Sequence, residues 1–522
     1  MVRRASVRSM IIATTVLLII GVLQVRTARA ANVTCAQLQT ALLNANDGDV
    51  LTLTQMCTGD NFTMATGVNI TLRGAPGAGL DGTGATANPL LDGADVGATV
   101  IENLTFRDSA GAVNGGAIHI SGNSVPKIRN NIFNSNSVSG SGGAVNVQSN
   151  AAGGTVAITN NRFGDGTAAR ANSALSGGAL ALSVNPADVT IANNRIVGNA
   201  GTDAWGGLIV FSNGPSSSLR ITNNIVRENS AGGIGGGAGI FAWSDSTTMQ
   251  GNTFADNLVL ANTPGPNYQG GGAFVSFLGG TRTYSQSGNV FRNNRILGGD
   301  ESTGGGQYLI AEAPSTLTST NDRFVGNEIL GIDGEGGGLS VEGNDDVDVV
   351  TFTGRNLVAA GNSIGTGGLG GGIYSGISCL APCNTRLNLR NSTIVANTVG
   401  AGGSGTQLGA GVEDEVVLRN SIVFGAGPMI SGFGTTTASF TDACSAGAPL
   451  PGTGNMCKNP RLVDGAAGNI HQTRRSPTRE KGSNALVPAN LTKDIDGDPR
   501  KIDSDGNGTR RVDMGADEAR RR

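Results

Sequence analysis

Gly115-Gly116-Ala117-Ile118-His119-Ile120-Ser121, followed by Ile128-Arg129-Asn130-Asn131-Ile132-Phe133-Asn134-Ser135-Asn136, decides how this chain folds. Both blocks alternate apolar with polar residues over a short run and are bounded by Gly, Ser or Asn, the pattern of strands a few residues long. The first block returns at Gly142-Gly143-Ala144-Val145, Gly177-Gly178-Ala179-Leu180 and Gly271-Gly272-Ala273-Phe274, with looser copies at Gly206, Gly236, Gly337 and Gly371. The second returns at Asn160-Asn161, Asn193-Asn194 and Asn223-Asn224, and in weaker form at Asn252, Asn289, Asn321, Asn356 and Asn391. A period of about 30 residues is one coil of a solenoid.

No helix-length apolar pattern occurs between about residues 65 and 430. Strands that repeat without helical crossovers satisfy their backbone groups by winding, each coil pairing in parallel with the next. The expectation is an all-β, parallel β-helix of about ten rungs over 65–430. Ile128, Phe133, Ile158, Phe163 and Ile191 then point inward and stack at about 4.8 Å per rung. Asn suits the sharp bends because it tolerates the left-handed conformation and its amide can bond to the Asn above and below.

The chain opens with Arg3, Arg4 and Arg8, an apolar run from Ile11 to Leu23, and Ala28-Arg29-Ala30. That order predicts a secretory leader over 1–30, because the run is shorter than the roughly 20 residues a membrane span needs. The formal charge of −3 includes five arginines of the leader, which leaves −8 beyond it. That balance offers no footprint for nucleic acid. The six cysteines fall in three close pairs, Cys35 with Cys57, Cys379 with Cys383 and Cys444 with Cys457. In an exported chain these are expected disulfides. Residues 31–64 are expected to cap the first coil through an amphipathic helix over 35–45 with Thr34 as N-cap. Residues 431–522 are expected to cap the other end.

The paired Gly115-Gly116-Ala117-Ile118 and Phe133-Asn134-Ser135-Asn136, with the Phe-x-x-Asn copies at Phe254, Phe291 and Phe324, resemble the repeats of polymorphic outer membrane proteins and related right-handed β-helix proteins. The last 65 residues resemble the C-terminal region of choice-of-anchor Q proteins, through Asn459-Pro460-Arg461-Leu462-Val463-Asp464, Asp494-Ile495-Asp496-Gly497-Asp498-Pro499-Arg500 and Val512-Asp513-Met514-Gly515-Ala516-Asp517-Glu518. Thr478-Arg479-Glu480 departs from the usual run after Ser-Pro. The resemblance implies a bacterial protein that is secreted or held at the cell surface. No alternating strands of barrel length stand near Arg522, so no membrane barrel or other integral membrane domain is expected.

Asp503-Ser504-Asp505-Gly506-Asn507-Gly508 matches positions 1, 3, 5 and 6 of a calcium loop, with Met514 where a bidentate Glu belongs unless Asp513 or Asp517 substitutes. Asp494, Asp496 and Asp498 form a second acidic turn, so calcium is the one cofactor expected. Aligning the copies puts Glu228 and Asp256 one rung apart, with Arg227 and Arg292 in the preceding column, an acid-base set of the kind glycan cleavage uses. The alternative is a solvated face of weak ion pairs. Trp205 and Trp243, about one coil apart, offer either a sugar-stacking platform or loop packing. Asp345-Asp346-Val347-Asp348 and Glu413-Asp414-Glu415 read as solvated loops, and His119 as a structural strand residue. Two functions follow: a noncatalytic adhesin, matrix or polysaccharide-binding protein, or a polysaccharide lyase or glycosidase. The expected partner in either case is an extracellular polysaccharide or a cell-surface component.

Overall fold

A computed structural model describes residues 28–520, except 60, 85–88, 112, 263–266, 278–281, 313–314, 345–348, 378–383 and 412–413. The leader and the Cys379–Cys383 pair lie outside the described residues. So do 345–348 and Glu413.

The chain winds as a parallel β-helix with four strands per coil. One coil consists of Ile118–Gly122, Lys127–Arg129, Ile132–Asn134 and Ser137–Val138, on faces here numbered 1 to 4 in that order. Each strand pairs in parallel with its equivalent one coil on: Ile118 with Val145, Ile128 with Ile158, Phe133 with Phe163, Val138's neighbour Ser137 with Ser173. Faces 1 and 2 belong to one 26-stranded sheet because Leu208–Thr222 and Ala238–Gln250 run through the bend between them. Faces 3 and 4 are sheets of 15 and 10 strands. Coiling extends past the expected limits. On face 2 it runs from Ala30–Val33 to Thr435–Ser439, and the weak copies after Gly337 pair as regularly as the strong ones.

The core is a set of vertical stacks. Ile128, Ile158 and Ile191 succeed one another on face 2. On face 3, Phe106, Phe133 and Phe163 stack with centroids 5.1 and 4.7 Å apart, and Phe254, Phe291 and Phe324 at 4.9 Å. At the first end, the helix Cys35–Leu43 buries Leu38 and Leu42 and is tied by the Cys35–Cys57 disulfide. Its N-cap Thr34 donates its N–H to the Gln37 side chain at 3.2 Å.

The Asn pairs divide their labour. The first member, at Asn130, Asn160, Asn193 and Asn223, takes a left-handed φ of 54–57° and turns the corner between faces 2 and 3. The second is buried and forms a ladder. From Asn131 through Asn161, Asn194, Asn224, Asn252 and Asn289 to Asp322, each amide donates to the next side-chain oxygen at 2.9–3.1 Å. A longer ladder at the corner between faces 3 and 4 runs Asn136, Asn172, Asn199, Asn229, Asn257, Asn294, Asn327, Asn362, Asn397 and Gln407, with steps of 2.8–3.0 Å. Each Asn also donates to a main-chain carbonyl, as Asn229 does to Ile196.

The tail corrects one expectation. The Cys444–Cys457 hairpin closes the last coil, placing Leu450 in the core. Residues after Asn459 do not cap that end but fold back along the outside of face 3. The reason is an outward surface that turns apolar there: Val358 and Ile422 in one column and Ala360 and Val395 in the next are covered by Ile470, Met514 and Ala516. Arg500, wholly buried, fixes the tail by an ion pair to Glu518 at 2.7 Å and bonds to the Asn356 side chain and the Asn391 carbonyl. Removing one partner of a buried ion pair costs about 3–5 kcal/mol. Arg500→Ala is therefore expected to release the tail, so that brief trypsin digestion trims residues after about 459 while the coil survives. Identical digestion of variant and parent would refute this anchoring role.

Asp414 also departs from expectation. It is buried and accepts the Thr385 N–H at 2.8 Å rather than lying in a solvated loop. Burial pushes Asp322, Asp414 and Asp442 each up to about 7. A carboxyl raised from 3.8 in this way contributes stability below about pH 4 that is lost as pH rises through 7. For Asp322 the loss at pH 8 is on the order of 4 kcal/mol. Asp322→Asn, which supplies the missing amide of the ladder, should raise Tm by several degrees at pH 8 and hardly at pH 4.5. Thermal unfolding followed by circular dichroism checks this, and an equal shift at both pH values would count against it.

Candidate functional site

Alternate residues of each face-1 strand point outward, and the register lines them into two columns. One runs His119, Asn146, Ala181, Ile209, Gly239, Phe274, Tyr308, Ser340, Tyr374. The other runs Ser121, Gln148, Ser183, Phe211, Phe241, Ser276, Ile310, Glu342. His119 is held by Asp92 of the preceding coil at 2.8 Å. A row of single bridges borders these columns, passing through Ser141, Ser176, Ala204, Ile234, Gln269, Thr303, Glu335 and Leu369.

The middle of the face is aromatic. Phe211 and Phe241 stack with centroids 4.6 Å apart, and Trp205 meets Phe241 edge-on at 5.6 Å. Trp243 lies 6.1 Å from Phe211, so the structure brings the two indoles onto one pair of rings. Phe241, Phe274 and Tyr308 continue the row at 5.3 and 5.5 Å.

Trp205 is an exception to the repeat. Its φ of +55° is taken by glycine in the corresponding turns, at Gly142, Gly177, Gly235, Gly270 and Gly304. A side chain there costs roughly 1–2 kcal/mol. The indole lies over Gly239, where an added Cβ would come within 2.1 Å of it, and its Nε1 is buried without a hydrogen-bond partner. Beside it is a cavity of about 170 Å³ lined by Trp205, Phe211, Asn146 and Gln148 among others.

Farther along face 1 is a cavity of about 520 Å³ bounded by Glu301, Thr303, Tyr308, Asp333, Glu335, Glu342 and Tyr374 with Asn267 and Gln269. Tyr308 donates to Glu342 at 2.8 Å, and the Ser340 hydroxyl to the other carboxylate oxygen at 3.2 Å. Burial, with the Glu342 charge adding to it, raises Glu335 to about 8, against a hydrogen bond from Tyr374. Burial and the facing carboxylates drive the Tyr374 phenol well above its ordinary range. The Thr303 hydroxyl, in a residue more than nine-tenths buried, has no hydrogen-bond partner among the described residues. No Lys or Arg is among the described residues that line this cavity.

The residues expected to carry chemistry lie elsewhere. Glu228 and Asp256 stand one coil apart at the corner between faces 3 and 4, with φ of 57° and 56°, in the turn position that precedes each Asn of the long ladder. Glu228 pairs with Arg227 at 3.4 Å, and Asp256 accepts from Asn293. Arg227 and Arg292 are two coils apart with Ala255 between them. All four belong to a convex edge, away from both face-1 cavities.

In the tail, Asp503 accepts the N–H groups of Gly506 and Gly508, and Asp505 accepts from Asn507. Glu480, not foreseen, brings a third carboxylate within 4.8 Å of theirs and accepts the N–H of Ser504 and of Asp505. Met514 is buried on face 3, Asp513 accepts the Glu480 and Ala519 N–H groups, and Asp517 faces Gln472 and His471, so none of these completes the loop. Of the second acidic turn, Asp496 pairs with Arg323 at 2.6 Å, Asp498 with Arg520, and Asp494 accepts three main-chain N–H groups. The tail's crevice, at about 900 Å³ the larger space, is lined by these already paired groups.

Residues 90–277 match a family model described as right handed beta helix region. The coil is a right-handed parallel β-helix in agreement with it. No curated protein gives a significant match. Among solved structures the chain is similar to the pectate lyase Pel9A, at 12% identity and a TM-score of 0.30, over 94% of this chain and 97% of that one. It is also similar to a mannuronic acid specific polysaccharide family 6 lyase enzyme from human gut microbiota, at 12% identity and a TM-score of 0.27, over 78% and 83%.

Proposed function

We propose that this is an exported protein, secreted or held at the cell surface, that binds an extracellular glycan along face 1. The carrying observation is the run of ring contacts that crosses both columns, from the half-buried Trp205, Phe211, Trp243 and Phe241 to the buried Phe274 and Tyr308. Sugar rings present apolar faces that pack on aromatic side chains, with polar groups at the rim to orient them. Between Asn146 and Tyr374 the face spans seven coil steps, roughly 34 Å at about 4.8 Å each, which suits a chain rather than a single sugar. Strain at a tryptophan where the repeat uses glycine supports the same reading, because such strain is retained where it serves a site. Export is supported by the predicted leader, by the Cys35–Cys57 and Cys444–Cys457 disulfides, and by the resemblance of the repeat to surface proteins.

Charge selects the glycan. Glu301, Asp333 and Glu342 at one end of the face disfavour a polyuronate, whose own carboxylates meet acidic side chains with no neighbouring cation among the lining residues. The partner is a neutral polysaccharide. In affinity electrophoresis, neutral polysaccharides should retard the protein and polygalacturonate should not. Trp205→Ala should weaken binding about tenfold without loss of fold. Preference for the polyuronate, or unaltered binding by this variant, would sink the reading.

A further inference from the structure

We propose that the Glu335–Glu342 pair makes face 1 a hydrolase for the neutral glycan it binds, with Glu335 as general acid and Glu342 as the carboxylate that accepts a proton from water. The proposal rests on the glycan-binding reading and adds a reaction to it.

The two carboxyls come from different elements. Glu342 projects from the face-1 strand Leu339–Gly343, and Glu335 from the bordering bridge row just before the left-handed turn at Gly336. They face one cavity and have unlike surroundings. Glu342, itself buried, accepts hydrogen bonds from two hydroxyls, those of Tyr308 and Ser340. Glu335 is partly buried beside Glu342 and Glu301 and is raised toward its protonated form near neutral pH. Two carboxyls in unlike surroundings on one cavity are the arrangement by which one site supplies both an acid and a base.

A second observation points to a ligand. The buried Thr303, which lines the same cavity, has a hydroxyl without a hydrogen-bond partner among the described residues. A sugar hydroxyl is a group of the right kind to satisfy it. The run of rings ends at Tyr308, whose hydroxyl holds Glu342, so the pair lies at the end of the aromatic stretch.

In the step, the glycosidic C–O bond breaks and its oxygen takes the Glu335 proton. The anomeric carbon bonds to a water oxygen, and the proton that this water loses passes to Glu342. One water is consumed, and exchange with solvent restores both carboxyls. Elimination fits less well, since it requires a uronate whose carboxylate is neutralised by a cation.

The test uses the full chain after the leader with soluble β-glucan, xylan and galactomannan, scoring binding and new reducing ends. Cleavage of at least one polymer is expected, falling about 100-fold or more in Glu335→Gln and in Glu342→Gln, with affinity kept within threefold. The groups facing Glu335 are Glu342, Glu301, Asp333, Tyr374 and, beyond Tyr374, Asp414. The rate should fall above about pH 8, where Glu335 loses its proton. Tyr374→Phe removes a bond that lowers the Glu335 pKa, so the alkaline limb should move upward. This variant supplies a readout if either Gln variant misfolds. Binding without reducing ends on any polymer overturns the hydrolase and leaves the glycan-binding reading standing. Failure to bind removes both. Release of unsaturated products, seen by ultraviolet absorbance, also overturns it.

Discussion

The side-chain amide of asparagine is the interaction on which the rest of this molecule depends. It has two N–H donors and an oxygen that accepts twice. In each ladder one donor reaches the next coil, the other reaches a carbonyl, and the oxygen accepts the amide and the N–H of the coil before, as at Asn199 and Asn229. Within the ladders the side-chain polar atoms are thereby used inside a buried stack, except at the first rung of the longer one, where the Asn136 Oδ1 accepts nothing among the described residues. A slip of one residue would strand amides and carbonyls along the whole column, at about 1–3 kcal/mol each. The ladders therefore fix register, and register places every outward side chain.

How much of this was legible follows from what repeats. The Asn pairs, the Phe-x-x-Asn element and the Gly-Gly blocks recur because each coil needs the same bend and the same stack, and they revealed the coil and its inward residues; the helix over its first end was legible separately, from the amphipathic run that starts at Cys35. Glu228 and Asp256 drew notice for their charge, yet their position is a left-handed turn that other coils fill with Ser135, Gly198 or Asn293. The column explains them without chemistry. Face 1 was hidden for the opposite reason. Successive Asn of the ladders are separated by anything from 27 to 37 residues, so Tyr308, Glu342 and Tyr374 become neighbours only when register is known. One signal was present. Trp205 stands where the Gly-Gly block elsewhere has glycine, a break in the repeat that costs energy.

The tail shows the same logic from outside. Face 3 carries Arg162, Arg195 and Arg227 outward in its early coils and Val358, Val395 and Ile422 in its late ones. An apolar patch facing water needs a cover, and residues 459–520 provide it. Their acidic turns hold the tail in shape: Asp494, Asp503 and Asp513 accept main-chain N–H groups, and Asp496 reaches across to Arg323 on the coil.

Departures from the repeat also gather around face 1. The first ladder ends at Asp322, followed in the next coil by Leu357, which has no amide to continue it. The coils on either side supply Tyr308, Glu335, Glu342 and Tyr374. Loss of one ladder would loosen register there if it acted alone. The second ladder passes through Asn294, Asn327, Asn362 and Asn397 without interruption, so these coils stay aligned while the first corner gives up its pattern. A solenoid with two parallel ladders can lose one locally and keep its geometry. That spare constraint leaves the middle of the coil free to carry buried carboxyls and phenols, which a minimal repeat would have no reason to hold.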